Sequence, residues 1–400
     1  MSRAEMFDVI VIGAGVVGAS AALALARDGR RVALVEAHEP APWQPDVADL
    51  RVFAFAPDNA ALLQSLGVWP EVLAARAQAY RQMRVWDAAA GGELAFVADE
   101  LGRDCLGWIV ENALLVDRLW QALGREPTVR RYCPDRLAEL RNDEARVALT
   151  LSSGAQLAAA LVVAADGAAS RVREQLAIAC DAHDYQQRAL VAYVRTESGH
   201  QDTAWQRFLP SGPLAFLPCR HDALPGSAPG HVSSIVWTLP DAEAQRLAAL
   251  DAAEFCRELT RGFDARLGEV QAVSQRATFP LRRQLARDYV AGRVVLAGDA
   301  AHAVHPLAGQ GVNLGLRDVA ALRALLARAG ARDIGAAHRL AQYQRQRRSE
   351  NTLAAHSFEA INRVFSNDAL LPTLVRGPAL GLVGRIAPLR QWLAGVAIRG

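Results

Sequence analysis

An acid followed by a glycine-rich turn is the feature of the sequence with the clearest chemical use. Residues 294–297 form a short apolar run typical of a buried strand, and Asp299 follows this run closely. The next turn, which opens a predicted helix, contains Gly309, Gln310, Gly311 and Asn313. A helix N-terminus presents free backbone N–H groups and a partial positive charge. The turn is therefore suited to an electron-rich or anionic ligand.

A second glycine pattern lies near the N-terminus, between a predicted strand at 7–12 and a helix at 19–26. Gly13 permits a tight turn, Gly15 lets a pyrophosphate approach the backbone, and Gly18 allows close packing of helix and strand. Glu36 follows the next predicted strand, where an acid accepts hydrogen bonds from ribose hydroxyls. These elements predict a dinucleotide site, with a purely structural glycine turn as the alternative.

A third corner of this kind lies midway along the chain. Residues 145–151 and 156–165 are predicted to form a hairpin that ends at Asp166 and Gly167. Ser170 is placed to cap the short helix that follows. Taken alone, this pattern is also typical of an ordinary capped turn.

The composition narrows the choice of cofactor and protein class. A single complete glycine fingerprint favours firmly held FAD over two separate dinucleotide domains. The first of the five cysteines is Cys105, which excludes flavoenzymes with a cysteine pair after the first helix. A formal net charge of +2 argues against nucleic acid as a partner. His302 and His305 are two residues without a third ligand nearby, so no metal site is predicted.

Taken in order, the three corners resemble the aromatic-hydroxylase class of flavoprotein monooxygenases, the class A enzymes with the p-hydroxybenzoate hydroxylase fold. Residues 305–315 together with Asp318 are similar to the signature of the ubiquinone-biosynthesis hydroxylases of the UbiH/UbiF/VisC type. Asp49 and Arg51, and the segment 109–112, extend the resemblance over essentially the whole chain.

The resemblance implies an α/β fold in which a Rossmann-like FAD-binding domain is interleaved with an antiparallel-rich, mixed β-sheet substrate domain and followed by C-terminal helices. The implied FAD-binding domain comprises residues 1–80, 108–182 and 278–345. The substrate domain comprises 81–107 and 183–277, and 346–400 form the helical segment.

The resemblance also implies residue roles. Gly13, Gly15, Gly18 and Glu36 would bind the ADP half of FAD, and the pyrophosphate would lie near Arg51 and Asp166. Asp299 would meet the ribityl chain, and the turn from Gly309 to Asn313 would face the flavin ring. Without the resemblance, a surface ion pair with Asp49 is the preferred interpretation of Arg51. His305 and Pro306 would shape the pocket or contact the substrate.

The implied reaction is hydroxylation of the aromatic ring of a polyprenyl phenol or quinol in ubiquinone biosynthesis. It would use NAD(P)H and O₂ and proceed through a flavin C4a-hydroperoxide. One alternative is a hydroxylase of a small soluble aromatic such as a benzoate, for which Arg195 or Arg207 could bind the carboxylate. Another is a flavin-stabilised assembly subunit without turnover.

Free, scattered cysteines indicate a reducing cytoplasm. The arginine-studded segment 370–398 is too interrupted by charge to span a bilayer. It is predicted either to pack as an amphipathic helix or to contact the inner membrane or another ubiquinone-biosynthesis protein peripherally. A homo-oligomer is compatible with the sequence.

Overall fold

A computed structural model provides the structure of the 400-residue chain. It describes residues 4–88, 92–304, 311–330 and 332–365. The predicted site residues His305, Pro306, Gly309 and Gln310 lie outside the described residues, as does the segment 366–400.

An eight-stranded sheet in the described chain forms the core of the first domain. Its central strands run parallel in the order β19, β11, β1, β2 and β8, and β18, β10 and β9 add antiparallel edges. The strands are β1 Glu5–Ile12, β2 Val32–Val35, β8 Val129–Tyr132, β9 Leu137–Asn142, β10 Val147–Leu151, β11 Gln156–Ala164, β18 Val290–Ala291 and β19 Val294–Leu296. Most of β1 is apolar because parallel strands of this kind are covered on both faces.

Helices cover this sheet, and the predicted strand, helix and strand at the N-terminus are confirmed. α1 packs against α4 and α8, while α9 packs against α8. The helices outside the second domain are α1 Val16–Arg27, α2 Pro57–Ser65, α3 Trp69–Ala75, α4 Asn112–Gly124, α5 Arg171–Gln175, α8 Gly311–Ala327 and α9 Ala337–Phe365. Among the residues described, no helix is both long enough and apolar enough to cross a membrane.

A nine-stranded sheet forms the second domain, and its pairs are antiparallel except for β13 with β5. The strand order is β20, β17, β12, β15, β14, β13, β5 and β6, with β16 beside β12. The strands are β5 Gln82–Asp87, β6 Glu93–Val97, β12 Cys180–Thr196, β13 Thr203–Leu209, β14 Gly212–Pro218, β15 Val232–Pro240, β16 Val270–Val273, β17 Ala277–Ala286 and β20 His302–Ala303. This architecture confirms the fold class that the resemblance implied.

One face of the nine-stranded sheet is closed by α6 Asp241–Ala249 and α7 Ala252–Gly262, over a core that includes Leu190, Phe216 and Phe255. The opposite face turns toward the first domain. β17 pairs with β12 as far as Ala286, so this sheet continues beyond the predicted domain boundary at residue 278. Pro280 and two adjacent arginines obscure the alternation of β17 in the sequence.

A small sheet of three strands connects the two domains. It contains β3 Val52–Phe55, β7 Gly107–Glu111 and β4 Gln78–Tyr80, with β7 in the centre. The chain passes through this sheet as it leaves the first domain and again as it returns. The loop before β3 therefore lies where the two domains meet.

Candidate flavin and substrate site

The first glycine corner joins the end of β1 to the start of α1. Gly13 has a φ of +98°, and a Cβ atom at this position would overlap the carbonyl oxygen of Ala165, so the fold itself requires glycine. Gly15 is different, because a Cβ atom there would meet no protein atom within 4 Å. Its φ of −63° is also ordinary. The fold thus gives no reason for glycine at position 15, whereas a ligand against the backbone would.

Glu36 follows β2 and closes this corner from the side. Its Oε2 atom accepts a hydrogen bond of 2.6 Å from the backbone N–H of Ala14, and its Oε1 atom accepts one of 3.1 Å from His38. Each carboxylate oxygen has two lone pairs, so acceptor capacity remains for hydroxyl groups. Glu36 therefore positions the glycine turn while it can still bind a ribose.

The second corner lies between β11 and α5. The Oδ2 atom of Asp166 accepts from the N–H of Val172, while Oδ1 is buried without a protein partner. Ser170 caps α5 through Arg173 N–H, as predicted. The buried guanidinium of Arg173 donates to the carbonyl oxygens of Ala168 and Ala300, at 2.6 and 2.8 Å. Arg173 thereby fixes this corner to the corner that carries Asp299.

A fully buried carboxylate, Asp318 on α8, organises the third corner. Its Oδ2 atom accepts from the N–H of Gly298 at 2.9 Å and lies 2.5 Å from His302 Nε2. Its Oδ1 atom accepts from Arg347 Nε at 2.7 Å and from Asn351 Nδ2 at 3.1 Å. Burial alone raises the pKa of Asp318, but His302 and Arg347 outweigh it and lower that pKa to about 2. The carboxylate is therefore ionised at neutral pH and holds the Gly298 turn against α8 and α9.

Asn313 lies in the first turn of α8, and its side chain is buried. Its Oδ1 atom accepts from Ala56 N–H at 3.0 Å and from Asn59 Nδ2 at 2.9 Å, and its Nδ2 atom donates to Ala54 at 2.8 Å. The side chain thus fixes the start of α8 to the end of β3. This leaves the backbone at the start of α8 as the surface it offers to a ligand.

A single cavity of about 590 Å³ connects these corners with the nine-stranded sheet. The N-terminal ends of α1 and α8 both open into it, since Gly15, Val16, Gly311 and Val312 are part of its wall. We call the part near the first domain the cofactor end. Its lining includes Gly15, Arg51, Gly167, Asp299 and Gly311. Two helix N-termini directed at one cavity stabilise negative charge on a bound group.

The part of the cavity against the nine-stranded sheet, which we call the substrate end, is lined by apolar side chains. They come from β12, β14, β15 and β17, namely Ala189, Val191, Leu217, Val236, Phe279 and Leu281. Arg282 lies at the same wall, but its side chain is 68% exposed and it pairs with Asp184 at 3.1 Å. An apolar wall of this kind is suited to a hydrophobic substrate.

The two arginines considered as carboxylate ligands do not line this cavity. Arg195 donates to the carbonyl oxygen of Gly226, whereas Arg207 donates to the carbonyl oxygens of Arg261 and Gly262 on the α7 side of the sheet. The structure therefore gives neither residue the position that a benzoate hydroxylase would require.

The loop before β3 carries Arg51 to the cofactor end. The carboxylate of Asp49 is bound by backbone groups. Its Oδ1 atom accepts a hydrogen bond from the Arg51 N–H at 2.9 Å, and its Oδ2 atom accepts one from the Ala113 N–H at 2.8 Å. The guanidinium instead lies 5.6 Å from the centre of the Phe53 ring, at the cavity wall. Arg51 is thus positioned to meet an anionic ligand.

Sequence reasoning located Gly15, Arg51, Asp299 and Gly311, which line one cavity. Gly13, Gly18, Glu36 and Asp166 lie in the corners beside it. Sequence reasoning did not identify the apolar wall of the cavity or the buried partners of Asp318. One of those partners, Arg347, is 2% exposed. No spacing in the sequence indicates its pairing with Asp318, which precedes it by 29 positions.

The described residues fit FAD. Gly15 and Gly311 have open space where a side chain would lie, the Oδ1 atom of Asp166 is buried without a protein partner, and two helix N-termini face the cavity. Glu36 retains acceptor capacity beside the first glycine turn. Together these features provide surfaces for a ribose, a pyrophosphate and an electron-rich ring.

Comparisons with known proteins agree with this fit. The FAD binding domain family matches residues 6–356. The ubiquinone hydroxylase UbiL of Rhodospirillum rubrum is 38% identical over 394 residues, which cover 98% of this chain and 89% of that protein. The 3-demethoxyubiquinol 3-hydroxylase of Escherichia coli K12 is 37% identical over 381 residues, or 94% of each chain. The p-nitrophenol 4-monooxygenase PnpA from Pseudomonas putida DLL-E4 superposes with a TM-score of 0.76 at 20% identity, covering 99% of this chain and 98% of that one.

The chain therefore belongs to the FAD binding domain family, and its cofactor is FAD. Within that family it is a class A flavoprotein monooxygenase that groups with the ubiquinone-biosynthesis hydroxylases, as the signature around Asp318 predicted. The similarity to PnpA supports the fold alone.

Proposed function

We propose that this chain hydroxylates the aromatic ring of a polyprenyl phenol or quinol in ubiquinone biosynthesis, with NAD(P)H as electron donor and O₂ as oxidant. The observation that carries the proposal is one continuous cavity that has both a cofactor end and an apolar substrate end. An aromatic ring with an attached hydrocarbon chain matches the apolar wall, and the names of the relatives place their activity in the same chemistry.

The proposed cofactor contacts follow the chain from one corner to the next. Gly13, Gly15, Gly18 and Glu36 bind the ADP half of FAD, Arg51 and Asp166 lie at the pyrophosphate, and Asp299 binds the ribityl chain. The turn comprising Gly309, Gln310, Gly311 and Asn313 faces the flavin ring. His305 and Pro306, which lie outside the described residues, shape the pocket or contact the substrate.

When bound, FAD supplies the redox chemistry that activates O₂. The chain supplies position, charge and exclusion of water. The start of α8 stabilises negative charge at the ring, and the wall formed by Val191, Leu217 and Val236 keeps water from the reacting atoms. The buried Asp318 network keeps the Gly298 turn in place during the reaction.

Anaerobic reduction tests the proposal. Purified protein reconstituted with FAD is mixed with NADH or NADPH, with and without a prenylated phenol, and the flavin absorbance is recorded. We expect the flavin to bleach, faster with the phenol present. Absence of reduction under every condition would overturn the enzymatic proposal and favour the assembly-subunit alternative. Faster reduction with benzoates than with prenylated phenols would favour the small-aromatic alternative.

The proposal extends to location. The chain acts in the cytoplasm at the surface of the inner membrane, with segment 370–398 in contact with lipid or with another ubiquinone-biosynthesis protein, and it can form a homo-oligomer. Co-sedimentation of full-length and truncated protein with anionic vesicles tests the lipid contact. Equal binding by both forms would remove it.

A further inference from the structure

Asp49 lies in the loop before β3, and its backbone N–H, its carbonyl oxygen and both carboxylate oxygens all make hydrogen bonds. Its side chain accepts the N–H groups of Arg51 and Ala113. Its own N–H donates to Glu111 Oε1 at 3.3 Å, and its carbonyl oxygen accepts from the hydroxyl of Tyr193 at 2.8 Å. The conformation of the Asp49–Arg51 segment is therefore set by its neighbours in space.

Tyr193 is the neighbour that comes from the other domain. It lies on β12, two residues after Val191, and successive side chains of a strand alternate, so both face the cavity side of the sheet. The side chain of Tyr193 is 1% exposed. Burial, together with Cys219 and Glu111, raises the pKa of Tyr193 well above its usual value, so the hydroxyl remains a donor at neutral pH.

Glu111 completes the junction. Besides Tyr193, it accepts from Trp43 Nε1 at 2.7 Å and from the buried Arg76 at 3.0 Å. The Glu111 carboxylate and the Asp49 carbonyl oxygen are thus both acceptors on the side of the first domain. The hydroxyl of Tyr193 contacts both from the sheet that forms the substrate end. Leu50, Arg51 and Val52, which follow Asp49, all line the cavity.

We infer that Tyr193 is a positioning residue, which ties the wall of the substrate end to the loop that presents Arg51 to the cofactor. The inference rests on the proposed role of Arg51 at the FAD pyrophosphate. Tyr193 acts through the peptide of Asp49, and it is not among the residues that line the cavity. Its contribution to FAD affinity therefore depends on the presence of the Arg51 side chain.

A double-mutant cycle tests this dependence. FAD dissociation constants are measured for the wild type, Tyr193→Phe, Arg51→Ala and the double variant, with thermal unfolding of each apoprotein as a check of folding. Loss of one buried hydrogen bond is expected to weaken FAD binding by roughly five- to tenfold in the Tyr193→Phe protein. In the Arg51→Ala background, the same change is expected to have almost no further effect.

Tyr343→Phe is the matched control. It also removes a buried hydroxyl that donates to a backbone carbonyl, that of Leu296 at 2.9 Å, but it joins α9 to β19 and makes no contact with the loop before β3. Its effect on FAD binding is expected to add to that of Arg51→Ala. Should Tyr193→Phe fail to fold, Asp49→Asn is expected to show the same non-additivity with Arg51→Ala.

Additive effects would overturn the inference. For Tyr193→Phe they would show that the hydroxyl acts without Arg51, and for Asp49→Asn they would show that the loop held by Asp49 acts without Arg51. This outcome is distinct from failure of the proposed function. A wild-type protein that does not bind FAD would contradict the function itself, whereas tight wild-type binding with an additive cycle contradicts only the role of Tyr193.

Discussion

The cofactor end and the substrate end of the cavity are built from different materials. The cofactor end consists of turns, helix N-termini and acids, each supplied by a short stretch of chain. The substrate end consists of apolar side chains from four strands that are far apart in sequence. The difference indicates that cofactor binding depends on a few backbone positions, whereas substrate selection depends on the shape of a whole wall.

The stability of the protein should depend most strongly on the buried Asp318 network, which supports the cofactor end. Asp318→Ala removes the carboxylate and leaves Arg347 buried without that partner. Breaking a buried ion pair in this way is expected to lower the free energy of unfolding by about 3–5 kcal/mol. Urea denaturation with FAD present measures the loss. The control Glu243→Ala breaks an exposed pair with Arg246 and is expected to cost roughly 0.5 kcal/mol. Equal losses in the two variants would contradict the assigned role.

The Asp318 network also predicts how the free energy of unfolding depends on pH in the acid range. The pKa of Asp318 falls from its ordinary 3.8 to about 2 in the folded protein, so the unfolded chain binds the proton first as the pH falls. The stability from this group is fully present above about pH 4 and is lost toward pH 2, on the order of 2 kcal/mol. Asp318→Asn should remove this pH dependence. The free energies of unfolding of the variant and the wild type, measured across this pH range, show the difference. Parallel curves would contradict the assignment.

Substitutions at Gly15 should weaken FAD binding without changing the stability of the apoprotein. A Cβ atom at position 15 meets no protein atom within 4 Å, so the Gly15→Val apoprotein should unfold as the wild type does. FAD affinity should fall by about ten- to a hundredfold, because the side chain obstructs the cofactor. Gly15→Ala should give a smaller loss. Isothermal titration with FAD measures both, and unchanged affinity in Gly15→Val would place the cofactor elsewhere.

The smallest effect concerns the substrate end. Val191→Phe narrows the apolar wall without touching the glycine corners, so the Michaelis constant for a prenylated phenol should rise by about tenfold while FAD affinity stays unchanged. Val191→Ala, which leaves the space open, is the control. Steady-state kinetics with both variants makes the comparison. Equal Michaelis constants would show that the substrate does not use this wall.

The contrast between the two ends also explains what could be predicted from the sequence. Gly13, Gly15 and Glu36 lie in one strand, helix and strand unit, so local spacing predicts both the fold and the ligand. Asp299 and Gly311 were located in the same way, because the end of a strand and the start of a helix are local features.

The substrate wall could not be predicted residue by residue. Val191, Leu217 and Val236 become neighbours only through the pairing of β12, β15 and β14, and each reads in the sequence as an ordinary apolar strand residue. The pairing of Asp318 with Arg347 depends on how α8 packs against α9, which spacing does not determine. The hydrogen bond between Tyr193 and Asp49 likewise depends on how the two domains pack against each other, which spacing does not determine.

The origin of the oxygen atom in the product tests the proposed monooxygenase reaction. Purified protein loaded with FAD is supplied with NAD(P)H and a prenylated phenol under isotopically labelled O₂, and the product is analysed by mass spectrometry. We expect a product that carries a single labelled oxygen on its aromatic ring. Fully bound, reducible flavin with no labelled product from any prenylated phenol or quinol would show that the chain is not a hydroxylase of such rings.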